Sequence, residues 1–157
     1  MGYLVLPETL LSEAEAFMTQ FGARASHVPQ PALATFMESG EFAIHLRRMR
    51  RTYAKRQKHL ISALADSANL LDLTPDPSGM HMCVSMLPKL RGQTTDAEVA
   101  DLARSKGVQV RSLSSHCVLP EPPQGLVLGY AAFDEDTLSK AAVKLKQVLT
   151  RLSQGDR

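Results

Sequence analysis

From Met80 to Leu87 the chain alternates strictly. Met80, Met82, Val84 and Met86 fall on one side, His81, Cys83, Ser85 and Leu87 on the other, and Pro88 ends the run. A period of two is that of a β-strand with one face turned to a core. Such a strand needs neighbours for its backbone groups and a cover for its apolar side. The residues that follow can supply both. Thr95 with Glu98 three later forms a capping box, and Gly107 provides a helix stop. Val108 and Val110 then alternate with Gln109 and Arg111, and Leu126-Val127-Leu128 leads into Gly129-Tyr130-Ala131. Asp134 can cap a last helix with Leu138, Ala142, Leu145, Leu149 and Leu152 on one face. From about residue 66 onward the order strand–helix–strand–strand–helix predicts an α/β sandwich, a small sheet covered by helices.

The first part of the chain reads as helical. Leu10, Leu11, Ala14, Phe17, Met18 and Phe21 make one apolar face over residues 8–21, ended by Gly22. A second helix is expected to start near Pro31, a favoured first-turn residue. The spacing of Phe42, Leu46, Met49, Tyr53, Leu60 and Leu64 predicts a long helix over 41–65. Asp66 to Gly79 is a connector with room for a short edge strand at Leu70–Leu73. Tyr3-Leu4-Val5-Leu6, closed by Pro7, reads as a buried strand. It would need sheet neighbours, so the expectation is that more chain precedes Met1.

Composition narrows the function classes. Of 157 residues, 44% are hydrophobic and 22% charged, as in an ordinary globular protein, and the net charge of +2 gives no overall bias toward nucleic acid or membrane. Cys83 and Cys117 are too few and too far apart for a disulfide framework or a zinc site. No apolar run reaches the roughly 20 residues that cross a bilayer. The start carries acids early and lacks a basic leader region, and Leu6 stands where a myristoylation signal needs Ser or Thr. A cytoplasmic protein is expected.

Most candidate chemistry has a plainer explanation. The basic run His45–Arg56 could bind an anion or nucleic acid, but the solvated face of an amphipathic helix or a subunit contact is favoured. His45 reads as a packed or capping residue. His81 and Cys83 share one strand face, but no third metal ligand is nearby. His116 and Cys117 are adjacent and would point apart on an extended chain. No G-x-S-x-G elbow, phosphate-binding glycine loop or dinucleotide fingerprint occurs. The lysines at 55, 58, 89, 106, 140, 144 and 146 fall on polar helix faces or in loops, so none is a good Schiff-base nucleophile.

Four stretches together carry a resemblance. Gly2-Tyr3-Leu4-Val5-Leu6-Pro7 is similar to a strand, and Gly40-Glu41-Phe42 through His45-Leu46-Arg47-Arg48-Met49-Arg50 with Tyr53 to a helix, of one family. Ser78-Gly79-Met80-His81 with Leu87-Pro88, and Gly107 to Arg111 followed by Leu128-Gly129-Tyr130-Ala131, continue it in order. The chain resembles the carboxyl-terminal part of MocR-type regulators, which join a GntR-type winged-helix DNA-binding domain to a fold-type I aminotransferase-like domain. The resemblance implies residues 1–40 as the tail of the large domain, 41–65 as a bridging helix and 66–157 as the small carboxyl-terminal domain. It implies pyridoxal 5'-phosphate in the full-length parent. The cofactor lysine and the DNA-binding domain would lie upstream, so this chain is expected to bind no cofactor covalently and to be inactive alone.

The implied partners are a second subunit in a homodimer, DNA through the amino-terminal domain only, and an amino acid or pyridoxal vitamer as effector, with no membrane. Enzymes of this fold often carry a substrate-carboxylate arginine in the last strand, which here reads Leu126-Val127-Leu128. Arg111 is the nearest alternative. The rival expectations are a piece of a class I/II aminotransferase proper, or a free-standing basic helix that binds nucleic acid.

Overall fold

The structure, a computed structural model, describes residues 4–22, 25–75 and 79–155. Gly2, Tyr3 and Ser78, which carry part of the motifs above, lie outside the described residues. The chain divides into two units, Met1–Arg47 and Arg48–Arg157.

In the first unit, α1 (Glu8–Phe21) and α2 (Gln30–Glu38) form where expected. Gly22 ends α1 at φ 64°, a left-handed conformation that glycine adopts without a Cβ penalty. Pro31 sits in the first turn of α2, where its missing N–H costs nothing. Neither helix has a buried residue. Phe17 and Phe21 pair at 4.5 Å between ring centroids, yet remain 60% and 64% exposed. The strand expected at Tyr3–Leu6 is not formed over its described part. Leu4 and Val5 are 76% and 86% exposed and in no regular structure. A strand exists only by pairing, and no described strand lies beside these residues.

Helix α3 (Glu41–Ala63) runs on into the second unit, followed by a 3-10 turn at Ala65–Ser67. The sheet there has the order β1-β2-β4-β3, all neighbours antiparallel. Its strands are β1 (Leu71–Asp72), β2 (His81–Met86), β3 (Arg111–Ser112) and β4 (Gly125–Gly129). Met82, Val84 and Met86 of β2 are buried, while His81, Cys83 and Ser85 are exposed, as the alternation requires. Pro88 does more than end β2, because it opens a one-turn helix, α4 (Pro88–Arg91). The strand expected from Val108 begins only at Arg111. Val108 is still occupied in closing the preceding helix, α5 (Asp96–Ser105), through its N–H to the Ala103 carbonyl.

The core lies on one side of the sheet. Helix α5 starts from the predicted capping box, with Thr95 accepting from the Glu98 N–H and Glu98 accepting from the Thr95 N–H. Helix α6 (Glu135–Ser153) is capped by Asp134 and buries Leu138, Ala142, Leu145, Val148, Leu149 and Leu152. Leu60 of α3 and Leu64, just past its end, join the same core. No helix of the described residues is long and apolar enough to cross a membrane.

Candidate functional site

With helices on one side, the other side of the sheet carries the exposed residues of β2. Register places Cys83 opposite Val127 and Val127 opposite Arg111. Directly opposed residues share a face, so these three form a row across β2, β4 and β3. With strands about 4.8 Å apart, the row is roughly 10 Å long. His81 sits one pair along, opposite Gly129. A Cβ at Gly129 would meet the His81 ring at 3.4 Å, so the glycine is the bed on which the imidazole rests. These residues line a cleft of about 710 Å3, whose far wall includes His116 and Phe133.

The cleft is cationic. Arg104, Arg111, His81 and His116 line it, and no carboxylate does. Arg104 is partly compensated, since its Nη1 lies 2.8 Å from Asp101 Oδ1. Arg111 is exposed, and among the described residues its guanidinium makes no ion pair or side-chain hydrogen bond. The arrangement suits a small anion, and best a carboxylate or phosphate that can take both arms of a guanidinium. Around the corner a smaller cavity of about 280 Å3 is walled largely by apolar residues, Leu60, Val110, Leu128 and Leu145 among them.

Other candidates are used differently. The basic run splits in two. Arg47, Arg48, Arg50 and Arg51 are exposed. Lys55 pairs with Glu135 at 2.7 Å, and Arg56 donates to the Ala131 carbonyl. Gln57 donates to the Tyr130 hydroxyl at 3.2 Å, which donates to the Gly79 carbonyl at 3.1 Å. The carboxyl-terminal half of the run thus ties α3 to the loop after β4. The Lys55 ammonium holds the Glu135 carboxyl below its ordinary range. His45 is exposed rather than packed. His81 and Cys83 do share a face, and no described group of three His, Cys, Asp or Glu side chains could hold a metal. His116 ends a 3-10 turn (Ser114–His116) and reaches the cleft, while Cys117 Sγ faces the Leu113 carbonyl at 3.7 Å.

One residue that sequence reasoning missed is central to this geometry. Asp96, the first residue of α5, is 1% exposed. It accepts from the Ser114 hydroxyl and N–H and from the Gly125 N–H. These partners lie 18 and 29 residues away, so a local pattern shows only an acid in a first helical turn.

The family described as aminotransferase class I and II matches residues 1–145. The chain belongs to that family. Its small antiparallel sheet with helices on one side is the aminotransferase-like α/β arrangement expected from the sequence. Among curated proteins, it is 31% identical over 97% of its length to the probable rhizopine catabolism regulatory protein MocR of Rhizobium meliloti. It is 30% identical over 87% of its length to the HTH-type pyridoxine biosynthesis transcriptional regulator PdxR of Corynebacterium glutamicum. The chain spans 30% and 29% of those two relatives.

Membership in the class I and II aminotransferases implies pyridoxal 5'-phosphate in the whole proteins. The described residues do not by themselves make a site for it. No lysine and no carboxylate lines either cavity described above. Lys55, Lys140 and Lys146 are spent on Glu135, Asp136 and Asp66.

Proposed function

We propose that this chain is the carboxyl-terminal part of the aminotransferase-like, effector-sensing domain of a MocR-type transcriptional regulator. In this reading residues 66–157 are the small domain that closes over the ligand. Residues 41–65 are the bridging helix, and 1–40 are the tail of the large domain. The rest of the regulator supplies the pyridoxal phosphate lysine and the DNA-binding domain, and the protein works in the cytoplasm as a homodimer. Arg111 holds the carboxylate of an amino acid effector, or the phosphate of a pyridoxal vitamer.

The observation that carries the reading is the open sheet face, on which the Arg111 guanidinium stands without an ion pair among the described residues in a cationic cleft lined by no carboxylate. The similarity to two regulators across most of the chain gives that face its context. The test is a chemical-shift titration of the chain with acetate, inorganic phosphate and, as a control, methylammonium. The anions should shift Arg111 and His81, the cation should not, and Arg111→Gln should remove the response. Equal response to both charge types, or an unchanged response in the variant, would reject Arg111 as the anion site.

A second reading, part of an aminotransferase proper, is favoured by the family description itself. A winged-helix segment in the same polypeptide would decide for the regulator.

A further inference from the structure

Strand β3 is two residues long and lies at the sheet edge. A pairing so short does not by itself fix an exposed arginine over a particular spot. Something else must hold the segment that carries Arg111 on one side and His116 on the other.

The hydrogen bonds show what does. Asp96 Oδ2 accepts from the Ser114 N–H at 2.9 Å and from the Gly125 N–H at 3.1 Å. Asp96 Oδ1 accepts from the Ser114 hydroxyl at 2.6 Å, and the Asp96 N–H donates to Gln124 Oε1 at 2.9 Å. Leu113 donates to the Gly125 carbonyl at 2.8 Å, and His116 N–H closes back onto Leu113 at 3.0 Å. One buried carboxylate therefore joins the start of α5, the 3-10 turn at Ser114–His116 and the first residue of β4. Burying a carboxylate is costly unless its lone pairs are filled, and bonds from backbone N–H groups to an ionised acceptor are among the stronger ones. Gly125 contributes a second constraint, since a Cβ there would lie 2.6 Å from the Val84 carbonyl. The backbone at this end of β4 is thus pressed directly against β2.

We infer that Asp96 is the positioning residue of the cationic cleft: it touches no ligand, but it clamps the Ser112–His116 segment so that Arg111 and His116 face the open sheet. The inference rests on the reading of that cleft as an anion site. Both backbone N–H groups bond the same oxygen, Oδ2, so Asp96→Asn, with its amide nitrogen turned toward the Ser114 hydroxyl, keeps the shape but leaves both bonds on a neutral and weaker acceptor.

Two readouts on the whole chain test it. The first is phosphate affinity by titration, expected to fall roughly tenfold, the scale on which supporting groups act at other binding sites. The second needs no ligand. The Arg111 Nε and His116 ring resonances should move in Asp96→Asn, while the amides of Met82 and Val84 stay put and helix content is unchanged. If Asp96→Asn fails to fold, Ser114→Ala removes the hydroxyl bond alone and is read the same way. Unmoved Arg111 and His116 resonances would overturn the inference whether or not phosphate binds. Moved resonances with unchanged phosphate affinity would overturn it too. Absence of phosphate binding by the unsubstituted chain would reject the anion reading itself, and with it the role assigned to Asp96.

Discussion

Helices α1 and α6 carry the same kind of pattern and meet different fates. Each has an apolar stripe at helical spacing. In α6 the stripe is buried from Leu138 to Leu152 against the sheet and its companion helices. In α1 the stripe of Leu10, Leu11, Phe17, Met18 and Phe21 is exposed. Amphipathic spacing thus states a demand for cover and does not say where the cover comes from. In the second unit the sheet answers the demand. In the first, nothing among the described residues buries the face, and apolar patches of that kind mark sites of further association.

The largest effect is expected from Leu149→Ala, a fully buried side chain. It should cost about 2–5 kcal/mol in urea denaturation. Leu11→Ala in α1 should stay within about 0.5 kcal/mol, as for other exposed sites. Comparable losses at both would mean that α1 packs in solution.

Next comes Gly125→Ala, which forces a Cβ onto the Val84 carbonyl and should destabilise by about 1–3 kcal/mol. Thr95→Ala removes half of the capping box of α5 and should cost about 1 kcal/mol, measured the same way.

Hydrogen exchange compares the two regions without substitution. Amides of α6 should open only with global unfolding, whereas those of α1 should exchange by local fraying.

The smallest effect concerns acid pH. The Thr137 N–H, bonded to the Asp134 carboxylate, holds its pKa below the ordinary value of 3.8. The folded state therefore favours the ionised form, and the cap contributes fully above 3.8. That contribution fades as pH falls through the lowered value. Asp134→Ala should lower the melting temperature at neutral pH, and the difference from the parent chain should shrink in strong acid.

Much of the second unit was legible because its signals are local. The Met80–Met86 alternation, the Thr95–Glu98 box and the Leu138–Leu152 stripe each state their structure within one element. The misses share a cause, dependence on distant partners. Leu4 and Val5 have the composition of a strand but no strand to pair with among the described residues. Val108 looks like the start of a strand but is taken by the end of α5. At the candidate site the shared face of His81 and Cys83 follows from the strand period, whereas Arg111 is named only through the family resemblance. Asp96 could not be named, because nothing local separates it from Glu98 two residues on, which closes the capping box of the first turn.

The proposed place of this chain within a longer regulator can be checked in cells. The most direct test is the size of the native polypeptide, by immunoblot of cells carrying the gene with an antibody to residues 66–157. The expected band lies at about three times the mass of this chain, in line with the 30% of the regulator from Rhizobium meliloti that it spans. A band at the chain's own mass would contradict the proposal.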